Sequence, residues 1–272
     1  MLIRIGYDIE LELQAPTAVV FLLQVHPDRQ LDLREPDLPQ LDPPLLRNAY
    51  VDAFGNYCMR VQVPAGVSRL ALHNRTLIQD SGLPDAWPTQ GGACPVGQLP
   101  TETLSFLLPS RYCEVDSELM AFAWQQFGTL PEGWARVRAV CDFVHAHLRF
   151  DYQQANSQRT ALSAYRERVG VCRDFTHLAL TLCRCLNIPS RYVTGYLGDI
   201  GVPAVPDPMD FSAWFEVWLD GAWHSVDARH NKPRIGRIVI ARGRDAADVP
   251  ITMAFGQHQL RHFSVVTDLE AA

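Results

Sequence analysis

The sequence lacks the features that mark several large classes of protein. No apolar run approaches the roughly 20 residues that a membrane-spanning helix needs. No run of five charges of one sign occurs in the 272 residues, and the net charge is −6. We therefore expect neither nucleic acid nor a membrane surface as a partner. The sequence also has no internal repeat and no low-complexity tract.

Residues 1–10 lack the basic start, the long apolar core and the small-residue cleavage site of a signal peptide. The seven cysteines are an odd number without regular spacing, so they do not indicate a framework of disulfides. Free thiols persist in reducing compartments. We therefore expect a cytoplasmic protein.

The sequence changes character at about residue 100. Residues 1–80 contain short β-forming runs separated by turn residues, which is typical of a small sandwich. A stretch rich in Pro and Gly follows at 80–100, and the helical patterns after it cover 117–127, 134–150 and 161–169. The length of 272 residues exceeds the usual single-domain size of about 100–150. We predict an N-terminal β-sandwich domain with its linker over 1–100 and a core domain over 101–272.

Cys172 lies at the predicted start of an amphipathic helix. Apolar residues recur after it at three- and four-residue spacing, and Pro189 marks the end of the pattern. Gly170, just before it, allows the backbone to approach another group closely. A thiol at a helix N-terminus is favoured as the thiolate, so we expect a lowered pKa and a nucleophilic role for Cys172. The alternative is a buried structural cysteine.

A β-hairpin is predicted at 213–227, because Asp220-Gly221 is a strong signal for a two-residue turn. That turn sets the register of the two strands, with Trp218 opposite Trp223. The same register places Ser212, Trp214, Asp227 and Arg229 on one face. Ser212 and Asp227 then become diagonal neighbours, roughly 7–8 Å apart at Cα.

These motifs resemble the transglutaminase-like superfamily, which has a papain-like cysteine-enzyme fold. In that superfamily a G-x-C-x-D-F/Y helix supplies the nucleophile, and a following strand pair supplies a histidine (typically in H-A-W-x-E-V) and then an aspartate. The resemblance assigns Cys172 as the nucleophile and Asp227 as the aspartate that orients the base. It implies an α+β fold of bacterial type, in which an N-terminal β-sandwich precedes a papain-like core. The core would pack a helical lobe, with the nucleophile helix, on an antiparallel sheet.

The resemblance also implies a cysteine protease, an amidase or a transglutaminase, which would act on a peptide or isopeptide amide through a Cys172 thioester. One position departs from this pattern, because residues 210–217 read D-F-S-A-W-F-E-V and place Ser212 where the superfamily has histidine. Serine does not accept a proton near neutral pH, and loss of a general base costs roughly 10²–10⁴ in rate. His230 is our first candidate for a substitute base. The alternative function is a catalytically impaired module that binds peptide or protein.

Other chemistries fit the sequence less well. A zinc site made of Cys172, His177, Cys183 and Cys185 is disfavoured, because residues two apart on a helix diverge and cannot both bind one ion. We therefore expect no metal and no cofactor. The basic stretch 229–244 contains no acidic residue and is either a solvated loop or a patch that orients an anionic substrate.

Overall fold

The computed structural model describes residues 1–87, 91–204 and 210–270. Its strands are β1 Leu2–Leu13, β2 Thr17–Phe21, β3 Gln40–Asp42, β4 Arg47–Val51, β5 Tyr57–Val63, β6 Arg69–Gln79, β7 Arg149–Phe150, β8 Val169–Gly170, β9 Ser190–Tyr196, β10 Ser212–Leu219, β11 Ala222–Val226, β12 Ile238–Gly243, β13 Thr252–Ala254 and β14 His258–Leu269. Its α-helices are α1 Glu118–Phe127, α2 Trp134–His147, α3 Ala161–Glu167 and α4 Cys172–Cys185. Short 3-10 helices occupy Pro27–Asp32, Val96–Gln98, Thr101–Leu107 and Tyr152–Gln154.

Two four-stranded antiparallel sheets form the predicted β-sandwich, in the orders β14-β1-β6-β3 and β13-β2-β5-β4. Alternate residues of β1, from Ile3 to Leu13, are buried in the main core, as expected for a strand with one face inward. The α+β fold class and the N-terminal sandwich are confirmed.

The sandwich takes strands from both ends of the chain. β14 pairs with β1 along nearly its whole length, and β13 pairs with β2. The predicted division at residue 100 assigned both of these strands to the core, and the strand pairing corrects that assignment. The correction has a physical reason, because pairing between distant strands depends on tertiary packing and leaves no local sequence signal.

The core consists of four helices and a third four-stranded sheet, in the order β11-β10-β9-β12. The central helix α4 packs on β9 and β10, while α1, α2 and α3 pack around it. Ser117 caps α1, because its hydroxyl accepts a hydrogen bond from the Leu119 amide. In the described part of the chain, none of the helices combines the length and the apolar character needed to cross a membrane.

The predicted hairpin is present with the predicted register. Leu219 lies opposite Ala222, and Trp218 lies opposite Trp223. β11 ends at Val226, so the chain leaves the ladder just before Asp227. The pairing of β10 with β9 places Ser212 opposite Gly195 at the open end of the sheet.

Two described residues that precede the core helices, Trp87 and Gly92, form hydrogen bonds to the β10–β11 hairpin. The Trp87 indole donates a hydrogen bond to the Ser225 carbonyl at 3.1 Å. The Gly92 amide donates to the Asp220 side chain at 3.0 Å, on the turn of the hairpin. Trp87 and Gly92 are therefore held against the hairpin that precedes Asp227.

Candidate active site

Cys172 is the first residue of α4, as predicted. The Asp174 carboxylate turns back to accept a hydrogen bond from the Val171 amide at 2.8 Å, which fixes the start of the helix. A Cβ atom at Gly170 would lie 2.5 Å from the Cβ of Asp174, so only glycine fits there. The predicted close approach at Gly170 is confirmed.

The thiol opens into a cavity of about 610 Å³ between the sandwich and the core. Strands β1 and β14 of the sandwich contribute apolar side chains such as Leu11 and Phe263. The core contributes Cys172, Asp210 and Ser212. Cavities of this size with mostly apolar walls and a few polar groups are typical of ligand sites.

Burial raises the pKa of the Cys172 thiol. The Arg229 guanidinium and a hydrogen bond from the Ala213 amide act in the opposite direction and favour the thiolate, while Asp210 and Asp227 disfavour it. The predicted lowering of the pKa by the helix N-terminus is therefore wrong, because desolvation of the sulfur outweighs it.

Ser212 is nearly buried at the start of β10, and it lines the same cavity as Cys172. Its carbonyl accepts a hydrogen bond from the Thr194 hydroxyl at 3.4 Å. The next residue, Ala213, directs its amide at the Cys172 sulfur. Position 212 therefore adjoins the thiol, as the resemblance implies for the residue in the place of the base.

Asp227 is buried and has four hydrogen bonds. Oδ1 accepts from the amides of Arg229 at 2.9 Å and His230 at 3.0 Å. Oδ2 accepts from Nδ1 of His230 at 2.8 Å and from Nη2 of Arg237 at 2.9 Å. Although burial opposes ionisation, the Arg237 guanidinium and the bonds from His230 hold the pKa of the Asp227 carboxyl well below its usual range.

Arg237 links this carboxylate to the stretch that precedes the core. Its Nε donates to the Asp85 carboxylate at 2.8 Å, and its guanidinium carbon lies 5.0 Å from the centre of the Trp214 ring. Asp85, Arg237, Asp227 and His230 thus form one continuous network. Asp85 and Arg237 are parts of the site that the sequence interpretation did not assign to it.

The structure also corrects both interpretations of the basic stretch 229–244. Arg234 and Arg237 are buried, and acidic residues from elsewhere in the chain pair with Arg234, Arg237 and Arg242. Arg244 pairs with Asp248, four residues further on. Four of the six Lys and Arg residues in this stretch therefore pair with carboxylates.

His230 is close to Asp227, but it does not join Cys172 and Ser212 among the described residues that line the cavity. His258, at the start of β14, does line it. Sequence analysis missed His258, since only the pairing of β14 with β1 brings it there and no local pattern signals that contact. Its Nδ1 lies 3.1 Å from the Gly256 carbonyl, and the residue is exposed.

The other core histidines have structural contacts. His177 is buried with its ring stacked on that of Tyr112, at 5.1 Å between ring centres. Its Nε2 accepts a hydrogen bond from the Ala246 amide, and burial holds its pKa well below the usual value. His145 and His147 pair with the carbonyls of Arg229 and Tyr165.

Among the residues that the structure describes, no group of three or more His, Cys, Asp and Glu side chains is arranged to hold a metal ion. Cys183 and Cys185 are buried in the core, where desolvation raises the pKa of each thiol to about 12. Both therefore pack as apolar side chains at neutral pH.

Comparison with known proteins agrees with this geometry. Residues 121–228 match the family model of the transglutaminase-like superfamily. A solved structure from Cytophaga hutchinsonii, described as a "putative cysteine protease", is 28% identical, with a TM-score of 0.84 and coverage of 100% of this chain and 92% of that one. That similarity includes the sandwich as well as the core.

Two mycobacterial relatives are uncharacterized proteins. The one from Mycobacterium leprae is 28% identical over 145 residues, which are 53% of this chain and 52% of the relative. The one from Mycobacterium tuberculosis is 26% identical over 231 residues, which are 77% of this chain and 72% of the relative. The match thus spans about half the length of the Mycobacterium leprae protein.

Proposed function

We propose that this chain, whose residues 121–228 match the transglutaminase-like superfamily, transfers the acyl group of a peptide or isopeptide amide through a thioester on Cys172. The observation that carries the proposal is the position of this thiol. It lies at the start of a buried helix, lines a large cavity and receives the Ala213 amide. Water is the default acceptor for the acyl group, so hydrolysis is the first reaction to test.

The helix and the cavity support an acyl-transfer step. Sulfur of Cys172 attacks the carbonyl carbon, and the carbonyl electron pair moves to oxygen. Backbone N–H groups at the start of α4 are suited to stabilise that negative charge, because the helix dipole is positive there. Loss of the amine then leaves the thioester, and attack by water returns the free thiol.

The walls of the cavity support a peptide or protein substrate with apolar side chains. β1 and β14 provide aliphatic and aromatic groups, and the core adds Tyr112 and Tyr192. β14 also exposes Leu260 beside the cavity, so apolar surface continues outward from the thiol. Burial of such side chains is favourable by about 25 cal/mol for each Å² removed from water.

A second candidate function, the binding of peptide or protein without catalysis, is favoured by three observations. Ser212 occupies the place of the base, and burial raises the pKa of the Cys172 thiol. In addition, the Oδ2 atom of Asp227 is already bonded to His230 and Arg237. A module of this kind would use the cavity as a binding site only.

The cellular location is a further part of the proposal. All seven cysteines are free, which supports a reducing compartment such as the cytoplasm. A free Cys172 thiol is also what acyl transfer requires.

Incubation with a mixture of peptide p-nitroanilides, followed by intact-mass and peptide mapping, tests the two functions. We expect release of p-nitroaniline and an acyl adduct on Cys172, and both should be lost in Cys172→Ala. Cys94→Ala is the matched control, because Cys94 is a partly exposed cysteine outside the cavity lining. Binding of the peptides without any adduct would contradict acyl transfer and favour the binding module.

A further inference from the structure

We propose that Asp210, assisted by the positive charge of Arg229, is the base that accepts the Cys172 proton, in place of the imidazole that the superfamily carries at position 212. The inference rests on the proposed function, since it assigns a residue to the same reaction. It would make the site a carboxylate–guanidinium–thiol arrangement.

The geometry places Asp210 just before β10, in the wall of the cavity that also contains the thiol. Asp210 precedes Ser212 by two residues and lines the same cavity as Cys172. Its Oδ1 accepts a hydrogen bond from the Phe211 amide at 2.6 Å, which orients the carboxylate. Since the Ala213 amide contacts the Cys172 sulfur, the thiol is anchored to the segment that carries this carboxylate.

The charges of these residues act on one another. Asp210 raises the pKa of Cys172, and Arg229 lowers the pKa of both groups. Burial raises the pKa of Asp210 itself, which makes its carboxylate a stronger base than an exposed aspartate. These effects accompany the geometry, because Cys172 and Asp210 line the same cavity.

Arg229 is fixed at the N-terminal end of α4. Its guanidinium carbon lies 3.8 Å from the centre of the Phe150 ring, and Phe150 pairs with Gly170, two residues before Cys172. The Arg229 amide donates a hydrogen bond to Oδ1 of Asp227, and the Arg229 carbonyl lies 2.8 Å from Nδ1 of His145. Asp227 therefore positions Arg229 in a site that has lost its imidazole.

The proposed step balances as follows. As the sulfur–carbon bond forms, the Cys172 proton moves to the Asp210 carboxylate. When the carbon–nitrogen bond breaks, that proton passes to the departing amine, and the thioester remains. Water then gives a proton to Asp210 as it attacks the thioester, and the same proton returns to the sulfur as the carbon–sulfur bond breaks.

Two rates measured on Asp210→Asn test the assignment, because they are expected to change in opposite directions. Cleavage of the peptide p-nitroanilides should slow by about 10²-fold or more, since the base is lost. Alkylation of Cys172 by iodoacetamide at pH 7 should become faster, since removal of a negative charge lowers the pKa of the thiol. A purely structural role for Asp210 would not raise alkylation while it slows cleavage.

Asp116→Asn is the matched control, because Asp116 is exposed and outside the cavity lining, and both rates should match the wild type. Asp210→Glu keeps the carboxylate and should retain more cleavage activity than Asp210→Asn. If Asp210→Asn fails to fold, Asp210→Glu provides the test instead. Its cleavage rate should increase with pH through the range in which a carboxyl group ionises, because the ionised carboxylate is the base.

Three outcomes would overturn the inference. Unchanged cleavage in Asp210→Asn would show that another group is the base, although the proposed function would stand. A fall in both rates would indicate a structural role for Asp210. Absence of any Cys172-dependent cleavage in the wild type would overturn the proposed function, and the assignment of Asp210 with it.

Discussion

Ser212→His places an imidazole at the cavity beside Cys172, and the structure indicates how far it would restore the superfamily's arrangement. Residue 212 lines a cavity of about 610 Å³, so the larger side chain has room. The resemblance to the superfamily implies that Asp227 would orient this ring. However, Oδ2 of Asp227 is already bonded to Nδ1 of His230 at 2.8 Å and to Arg237. The new ring must therefore compete with His230 for that oxygen.

The expected effect on the thiol follows from the new charge. A cation within about 4–6 Å lowers the pKa of an acidic group by about 1–3. As long as most of the Cys172 thiol is protonated, each decrease of one in its pKa raises the thiolate fraction at pH 7 about tenfold. Alkylation by iodoacetamide should therefore accelerate by roughly 10- to 1000-fold. Amide cleavage should rise by about 10- to 100-fold if Asp210 already supplies part of the ~10²–10⁴ available from a general base.

Adding His230→Ala to Ser212→His should raise both rates further, since it frees Oδ2 of Asp227 to orient the new ring. Ser212→Asn is the matched control, because it adds a polar side chain of comparable size that does not titrate. The rates come from mass-spectrometric mapping of Cys172 adducts over pH and from p-nitroaniline release. If Ser212→His stays folded and alkylates Cys172 at the wild-type rate at every pH, residue 212 does not adjoin the thiol and our site geometry is refuted.

Three further predictions concern the network and the sandwich. Arg237→Met should lower the free energy of unfolding by about 3–5 kcal/mol, because it removes the buried cation that pairs with both Asp227 and Asp85. Arg261→Met breaks an exposed ion pair and should cost no more than about 1 kcal/mol by urea unfolding, and equal losses for the two variants would contradict the reasoning. Because the pKa of Asp227 is lowered on folding, its ionised form stabilises the fold above about pH 4 and this contribution falls as the pH drops further. The stability deficit of Asp227→Asn should therefore shrink below that pH. A fragment of residues 105–272 should fail to unfold cooperatively by circular dichroism, since β14 loses its partner β1, and a sharp transition would refute this.

Local features of the sequence predicted the parts of the site that depend on local structure. The spacing after Cys172 predicted α4, because one apolar face must meet the sheet. Asp220-Gly221 predicted the hairpin register, because both residues adopt positive φ at a two-residue turn. The further prediction that residue 212 shares a face with Asp227 extends this register past the observed ladder, which ends at Phe215 and Val226.

Features set by distant contacts could not be predicted in this way. The neutralisation of Arg237 depends on Asp85, which is 152 residues away in the sequence. The raised pKa of Cys172 depends on how deeply the sulfur is buried, and that depth is set by the packing of the sandwich against the core. A helix N-terminus favours a thiolate, but its effect is smaller than the cost of removing a full charge from water.

The presence of Asp227 is by itself no sign of a Cys–His–Asp mechanism in this chain. Its carboxylate neutralises the buried Arg237 guanidinium, so the pair contributes to stability whether or not an imidazole occupies position 212. The same carboxylate binds the amide of Arg229, whose guanidinium favours the Cys172 thiolate. Replacement of the base by Ser212 therefore leaves a stable site with a thiol, a nearby cation and the Asp210 carboxylate. We therefore propose that acyl transfer by this protein uses that combination rather than the triad.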